Sequence, residues 1–232
     1  MEITDIKFLT YPPIEIIKKN NKYNRASTCN STLLYLTETV DTALKEVHPL
    51  ENKTVTIGVW APKRDRTFTQ YPIEHSEHAA KVNPQIAQGL QALKLLNEKQ
   101  DPLLARYMSN YFNLLAREFS KTVAPENHYE YMLSAILSEN IFELEDHNPD
   151  FNYDCISYPS VGNNFFTRNL AVKPNIADTE FKIVQVIEFE VVKAHYDRIP
   201  VQSLSTCCIS VAEIKNYRET WNITDTGQII WE

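Results

Sequence analysis

Apolar positions along the chain recur with two different periods, and each change of period marks out an element. Leu33, Leu34, Tyr35 and Leu36 form an apolar run behind a polar loop, which predicts a short strand. Directly after it, Val40, Ala43, Leu44 and Val47 recur at i, i+3, i+4 and i+7, one face of a helix that Thr37 or Thr39 can cap. On that wheel Glu46 falls at the border of the apolar stripe, while Glu38, Asp41 and Lys45 are expected to point to water. Val55, Ile57 and Val59 alternate with Thr56 and Gly58 ahead of Trp60, so a half-buried strand is expected there. Residues 63–84 hold no sustained period and read as a loop.

The middle of the chain switches to the helical period. Ile86, Leu90, Leu93 and Leu96 share one face of a first helix over residues 85–97. Asp101 then caps a second that opens with Pro102, where a missing N–H costs nothing. It carries Leu103, Leu104, Tyr107, Met108, Tyr111, Leu114, Leu115 and Phe119, a stripe expected to be core. Pro125 opens a third helix, with Tyr129, Met132, Leu133, Ile136, Leu137 and Ile141 expected on its inner side. After a polar turn the short period returns. Strands are predicted at Cys155–Tyr158, which Pro159 stops, at Leu170–Val172 and over residues 181–194. Further strands follow through SLSTCCISV and WNITDTGQIIWE, with a turn at Thr226–Gly227, and residues 3–9 form a short strand or a lead-in. The pattern predicts one α+β domain over residues 1–232, with a helical middle at 85–143.

Composition narrows the function. With 30 acidic and 23 basic residues the net charge is −7, which argues against a nucleic-acid partner needing a basic surface. Only four glycines are present, so a Gly-rich phosphate cradle is excluded and any phosphate falls to side chains or a helix start. Lys18, Lys19, Lys22 and Arg25 concentrate positive charge, which is ordinarily a solvated face and which would also attract a diphosphate. Cys29, Cys155, Cys207 and Cys208 have no CxxC spacing, which points to a reducing compartment. The opening MEITDIKFLTYPP lacks the pattern of a secretory signal, and no apolar run approaches a membrane span, so a cytoplasmic protein is expected. His75 and His78 stand three apart without further ligands nearby and are expected at the surface, not on a metal.

The segment LLYLTETVDTALKEVHP resembles the strand–helix signature of the RES-domain family, named for an Arg, a Glu and a Ser. Arg25 stands where the family's Arg precedes the strand, Glu46 on the helix, and Ser160, in DCISYPSV, where its Ser follows a Tyr-x-Ser strand ending. Asn169-Leu170-Ala171 continues the match, which is close over residues 33–49 and 154–172 and loose elsewhere. After Arg25 the chain reads ASTCNST, without the Pro and Gly usual in the family, and its helical middle is longer than a compact toxin of that kind needs. The extra helices would take the place of a partner's packing surface.

The resemblance implies a mixed-sheet core like that of ADP-ribosyltransferases and cleavage of nicotinamide adenine dinucleotide (NAD) as substrate, with no cofactor. It implies toxin- or defence-like settings, a cognate antitoxin or regulatory partner, and room for homo-oligomers. In that scheme Arg25 holds phosphate and Glu46 accepts from the ribose hydroxyls. Tyr35 and Ser160 position the ribose, or stack and hydrogen-bond at the nicotinamide end. Taken singly, each residue has a plain structural alternative: a solvated Arg, a packed Tyr, a turn Ser. A catalytically silent relative that binds a nucleotide or a regulatory partner, and a protein ADP-ribosyltransferase, are the competing readings.

Overall fold

The computed structural model describes residues 2–73, 77–196 and 211–231. Its strands fall into two sheets. In the first, β1 (Leu34–Thr37), β5 (Arg168–Val172), β4 (Cys155–Pro159) and β3 (Gln70–Pro72) lie side by side in that order. The β1–β5 and β5–β4 pairs are antiparallel and β4–β3 is parallel. In the second, β2 (Lys53–Pro62), β6 (Phe181–Ala194) and β7 (Ala212–Thr220) form an antiparallel sheet with β6 at its centre. The architecture is α+β with one mixed sheet.

Every residue of β4 is buried, because both faces of its sheet are covered. On one face Ile156, Tyr158 and Ala171 pack against Leu115 and Phe119 of α5 (Pro102–Phe119) and Ile141 of α6 (Met132–His147). On the other, Leu34, Cys155 and Val172 meet Ala177, with Trp60 and Phe181 of the second sheet packed against them. Among the described residues no helix is long and apolar enough to cross a membrane.

Several expectations need correction. The stretch read as a loop over residues 63–84 contains β3 and a short helix, α3 (Glu77–Ala80). A three-residue strand beside a buried one leaves too little sequence for an alternation to show. Residues 3–9 form a 3₁₀ turn at Ile6–Phe8, capped by Asp5, rather than a strand. Pro125 opens a 3₁₀ segment to Tyr131, and α6 starts only at Met132. That helix buries Ser134, Ala135, Ser138 and Ile141, not the stripe from Tyr129 to Ile136, whose large side chains face outward. Small residues let α6 lie close to the core. The Ser134 and Ser138 hydroxyls are satisfied by donating to the Tyr131 and Ser134 carbonyls, which makes their burial tolerable. In α5 only the C-terminal half is core; Leu103, Leu104 and Tyr107 are exposed. His75, Cys207 and Cys208, and the predicted strand SLSTCCISV except Val211, lie outside the described residues. The turn at Gly227 forms, with φ of +84°, a conformation that suits glycine.

Helix α2 (Val40–Val47) carries the one predicted carboxylate and is held from both sides. Thr39 is the cap, accepting from the Thr42 N–H, and Leu44 packs on Ile187, Phe189 and Val191 of the second sheet. The loop after β4 crosses the other side. Lys45, expected in water, is therefore 1% exposed, and burial pulls its ammonium below the usual lysine range. A β-carbon at Gly162 would stand 2.7 Å from the Lys45 carbonyl oxygen and 3.2 Å from Glu46 Cδ, so only glycine lets the loop lie this close.

Candidate active site

A cleft of about 410 Å³ opens where the loop before β1, the end of α2, the strands β4 and β5, and Tyr131 meet. Arg25, Tyr35 and Glu46 line it, and Ser160 lies directly behind Glu46. Three of the four residues singled out in the sequence thus share one hollow, and the fourth touches it through a hydrogen bond.

Glu46 sits in the last turn of α2, where the negative end of the helix dipole disfavours a carboxylate. Three donors offset this, all on one oxygen. Oε1 accepts from Ser160 Oγ at 2.5 Å, Asn169 Nδ2 at 2.9 Å and the Gly162 N–H at 3.4 Å. Oε2 accepts from no described residue, and the side chain is exposed on the cleft. The carboxylate is fixed in orientation with one oxygen left to a ligand.

Ser160 is wholly buried. Its hydroxyl donates to Glu46 and accepts from the Asn163 N–H at 3.2 Å, so it orients the carboxylate and does not itself meet a ligand. Below it, Asn163 donates to Thr42 Oγ1 and Thr167 Oγ1, tying the loop to the start of α2. The expected contact of Ser160 with ribose or nicotinamide gives way to this supporting place.

Tyr35 divides its roles between two ends. The residue is 39% exposed and its ring lines the cleft. Its hydroxyl is turned inward, where it accepts from the Ala26 N–H at 3.3 Å and pairs with Ser27 Oγ at 2.9 Å. Burial of that hydroxyl pushes the phenol up to about 12. Tyr35 offers a ligand its ring face, while its oxygen shapes the loop.

Arg25 is committed more heavily still. Nη1 donates to the Phe119 carbonyl at 2.8 Å, and Nη2 to the Lys121 carbonyl at 3.0 Å and the Tyr131 hydroxyl at 3.2 Å. The guanidinium lies 4.8 Å from the Tyr131 ring centroid. It closes the C-terminal end of α5, where free carbonyls and the helix dipole favour a cation. The expected two-pronged grip on phosphate is already spent on protein.

Tyr158, Asn169 and Tyr131 also line the cleft and were given no role from sequence. Tyr158 is 3% exposed, and its hydroxyl has no hydrogen-bond partner among the described residues. Burial first, then Tyr35, raises its phenol well above the ordinary value, so it stays a neutral donor. Asn169 faces Thr37 on one side and Tyr158 on the other in the strand register, and its Oδ1 is sealed without a partner. A lone Asn inside the strand RNLAV was the available signal for it. Tyr131, inside a helical turn, gave none.

Comparison with family models, with curated proteins and with solved structures finds no match. The chemistry is therefore read from this cleft. A wider groove of about 930 Å³ runs past Trp60, Phe181 and Trp221, but it holds none of the four predicted residues. No group of three or more potential metal ligands occurs among the described residues.

Proposed function

We propose that the chain cleaves the bond between nicotinamide and ribose in NAD, as a RES-like enzyme on an ADP-ribosyltransferase-like core, in a toxin- or defence-like setting. The observation that carries this reading is the Glu46 carboxylate, pinned through Oε1 by three donors and open at Oε2 on an aromatic-lined cleft.

The chemistry asks for little else. When the C1′–N bond breaks, its electron pair leaves with the pyridinium nitrogen, which becomes neutral, and positive charge develops on the sugar. Nicotinamide needs no general acid to depart, unlike the alcohol of an ordinary glycoside. Glu46 Oε2 accepts from the ribose hydroxyls and stabilises the developing cation in a setting that need not reorganise. An oxygen of water or phosphate then bonds to C1′; a water nucleophile sheds its proton to solvent. The Tyr35 ring and the Tyr158 hydroxyl orient the departing base.

The second reading, a silent relative that binds a nucleotide or a regulatory partner, is favoured by one observation: Arg25 is engaged by protein atoms. Incubating the pure protein with NAD, with and without phosphate, separates the two. Nicotinamide release supports the enzyme, binding without turnover supports the silent relative, and a labelled protein acceptor would turn the assignment to ADP-ribosyl transfer.

A further inference from the structure

We infer that the cleft is a nucleoside site: it recognises the ribosyl-pyridinium half of its ligand and makes little use of the diphosphate. This rests on the reading of the cleft as an NAD site and says which part of the molecule is bound there.

The first ground is the state of Arg25, the only Lys or Arg lining the cleft among the described residues. A guanidinium grips two oxygens of one group along an edge, either Nη1 with Nη2 or Nε with Nη2. Both edges need an Nη2 hydrogen. Nη2 has two, and it donates to two protein acceptors, the Lys121 carbonyl and the Tyr131 hydroxyl. A bidentate phosphate contact would have to break the link that holds the end of α5 to Tyr131. Lys18, Lys19 and Lys22, the other cations near in sequence, do not line the cleft.

The second ground is what the cleft does offer. Glu46 Oε2 is an open acceptor for sugar hydroxyls or a cationic ring, and Tyr35 presents an aromatic face. Tyr158, a largely buried residue that lines the hollow, has a hydroxyl without a protein partner among the described residues, a donor left for a ligand. An acceptor, an aromatic wall and a neutral donor complement a ribosylated pyridinium carboxamide. At about 410 Å³ the hollow also lies near the lower end of the range for small-molecule sites, a size for a nucleoside more than for a dinucleotide.

The test is calorimetric titration of the whole chain with the non-cleavable carbocyclic analogues of nicotinamide riboside and of NAD, and with pyrophosphate. The expected result is that the two analogues bind within about tenfold of each other and that pyrophosphate displaces neither. Binding of the dinucleotide analogue roughly a hundredfold more tightly than the riboside analogue, or displacement by pyrophosphate, overturns the inference. Failure of both analogues to bind overturns it as well. Nicotinamide release from NAD and from nicotinamide riboside is followed separately. Riboside binding without release from either substrate leaves the nucleoside site standing and removes the enzyme reading.

Discussion

Glu46 and Arg25 are the two charged residues that line the cleft among the described residues, and they differ in what they have left to give. The carboxylate takes three hydrogen bonds on one oxygen and keeps the other. The guanidinium makes three donations to the end of α5 and to Tyr131, with both Nη2 hydrogens used. A charged residue in a hollow is not a ligand site because it is charged. It is one when an atom remains uncommitted, and by that measure Glu46 is left open to a ligand while Arg25 is tied into the protein.

Substitution of each residue in turn should show the contrast. Glu46→Gln keeps the shape and its neighbours but removes the charge; nicotinamide release should fall by about a hundredfold or more with little change in Tm. Unchanged turnover would take Glu46 out of the reaction. Arg25→Ala should act the other way, lowering stability by about 2 kcal/mol, seen as a Tm lower by roughly 4–8 °C in thermal melting. A variant with full stability and lost NAD binding would reverse the assignment of the two residues.

Asn169→Asp sharpens the acidic side. It places a second carboxyl where an amide now donates to Glu46 Oε1 at 2.9 Å. Like charges so close raise the pKa of one of them, so the acid limb of the pH–rate profile should move to higher pH, with a loss of about tenfold at neutral pH. An unmoved acid limb would show that Asn169 does not govern the carboxylate.

The smallest effect is expected from Tyr35→Phe, which removes the hydroxyl bonded to Ala26 and Ser27. Because the folded phenol is raised from 10.0 to about 12, its contribution to stability is present below pH 10 and is lost as pH climbs towards 12. Denaturant unfolding of the variant should therefore show a shallower decline over that interval than the parent chain. Equal slopes would mean that the Tyr35 hydroxyl is not buried in solution.

What the sequence disclosed follows the same division between local and distant. The Thr39 cap and the step from β1 to α2 are short-range matters, and the order of residues states them; the buried face of α2 and the end of β4 are not, since Val47 is 72% exposed and Pro159 still pairs with Arg168. The candidate set of Arg25, Tyr35, Glu46 and Ser160 came from the resemblance and not from period or spacing; the first three line the cleft and Ser160 lies behind Glu46. What each does there was not legible. The partners of Arg25 lie 94 to 106 residues away, so its engagement by Phe119, Lys121 and Tyr131 left no local mark. The face of α6 was misjudged because Ser134 and Ser138 are polar by composition yet satisfy themselves on their own helix. Lys45 was placed in water because a helical wheel knows nothing of a loop that crosses from residue 160 onward.

That crossing loop has a mechanical corollary. Where Gly162 passes the end of α2, one missing methyl sets the gap between the loop backbone and the carboxylate beneath it. An alanine at position 162 would wedge the two apart and carry Glu46 off its mark by a few tenths of an ångström. The free carboxylate oxygen would then be misplaced through spacing alone, with every functional group still present.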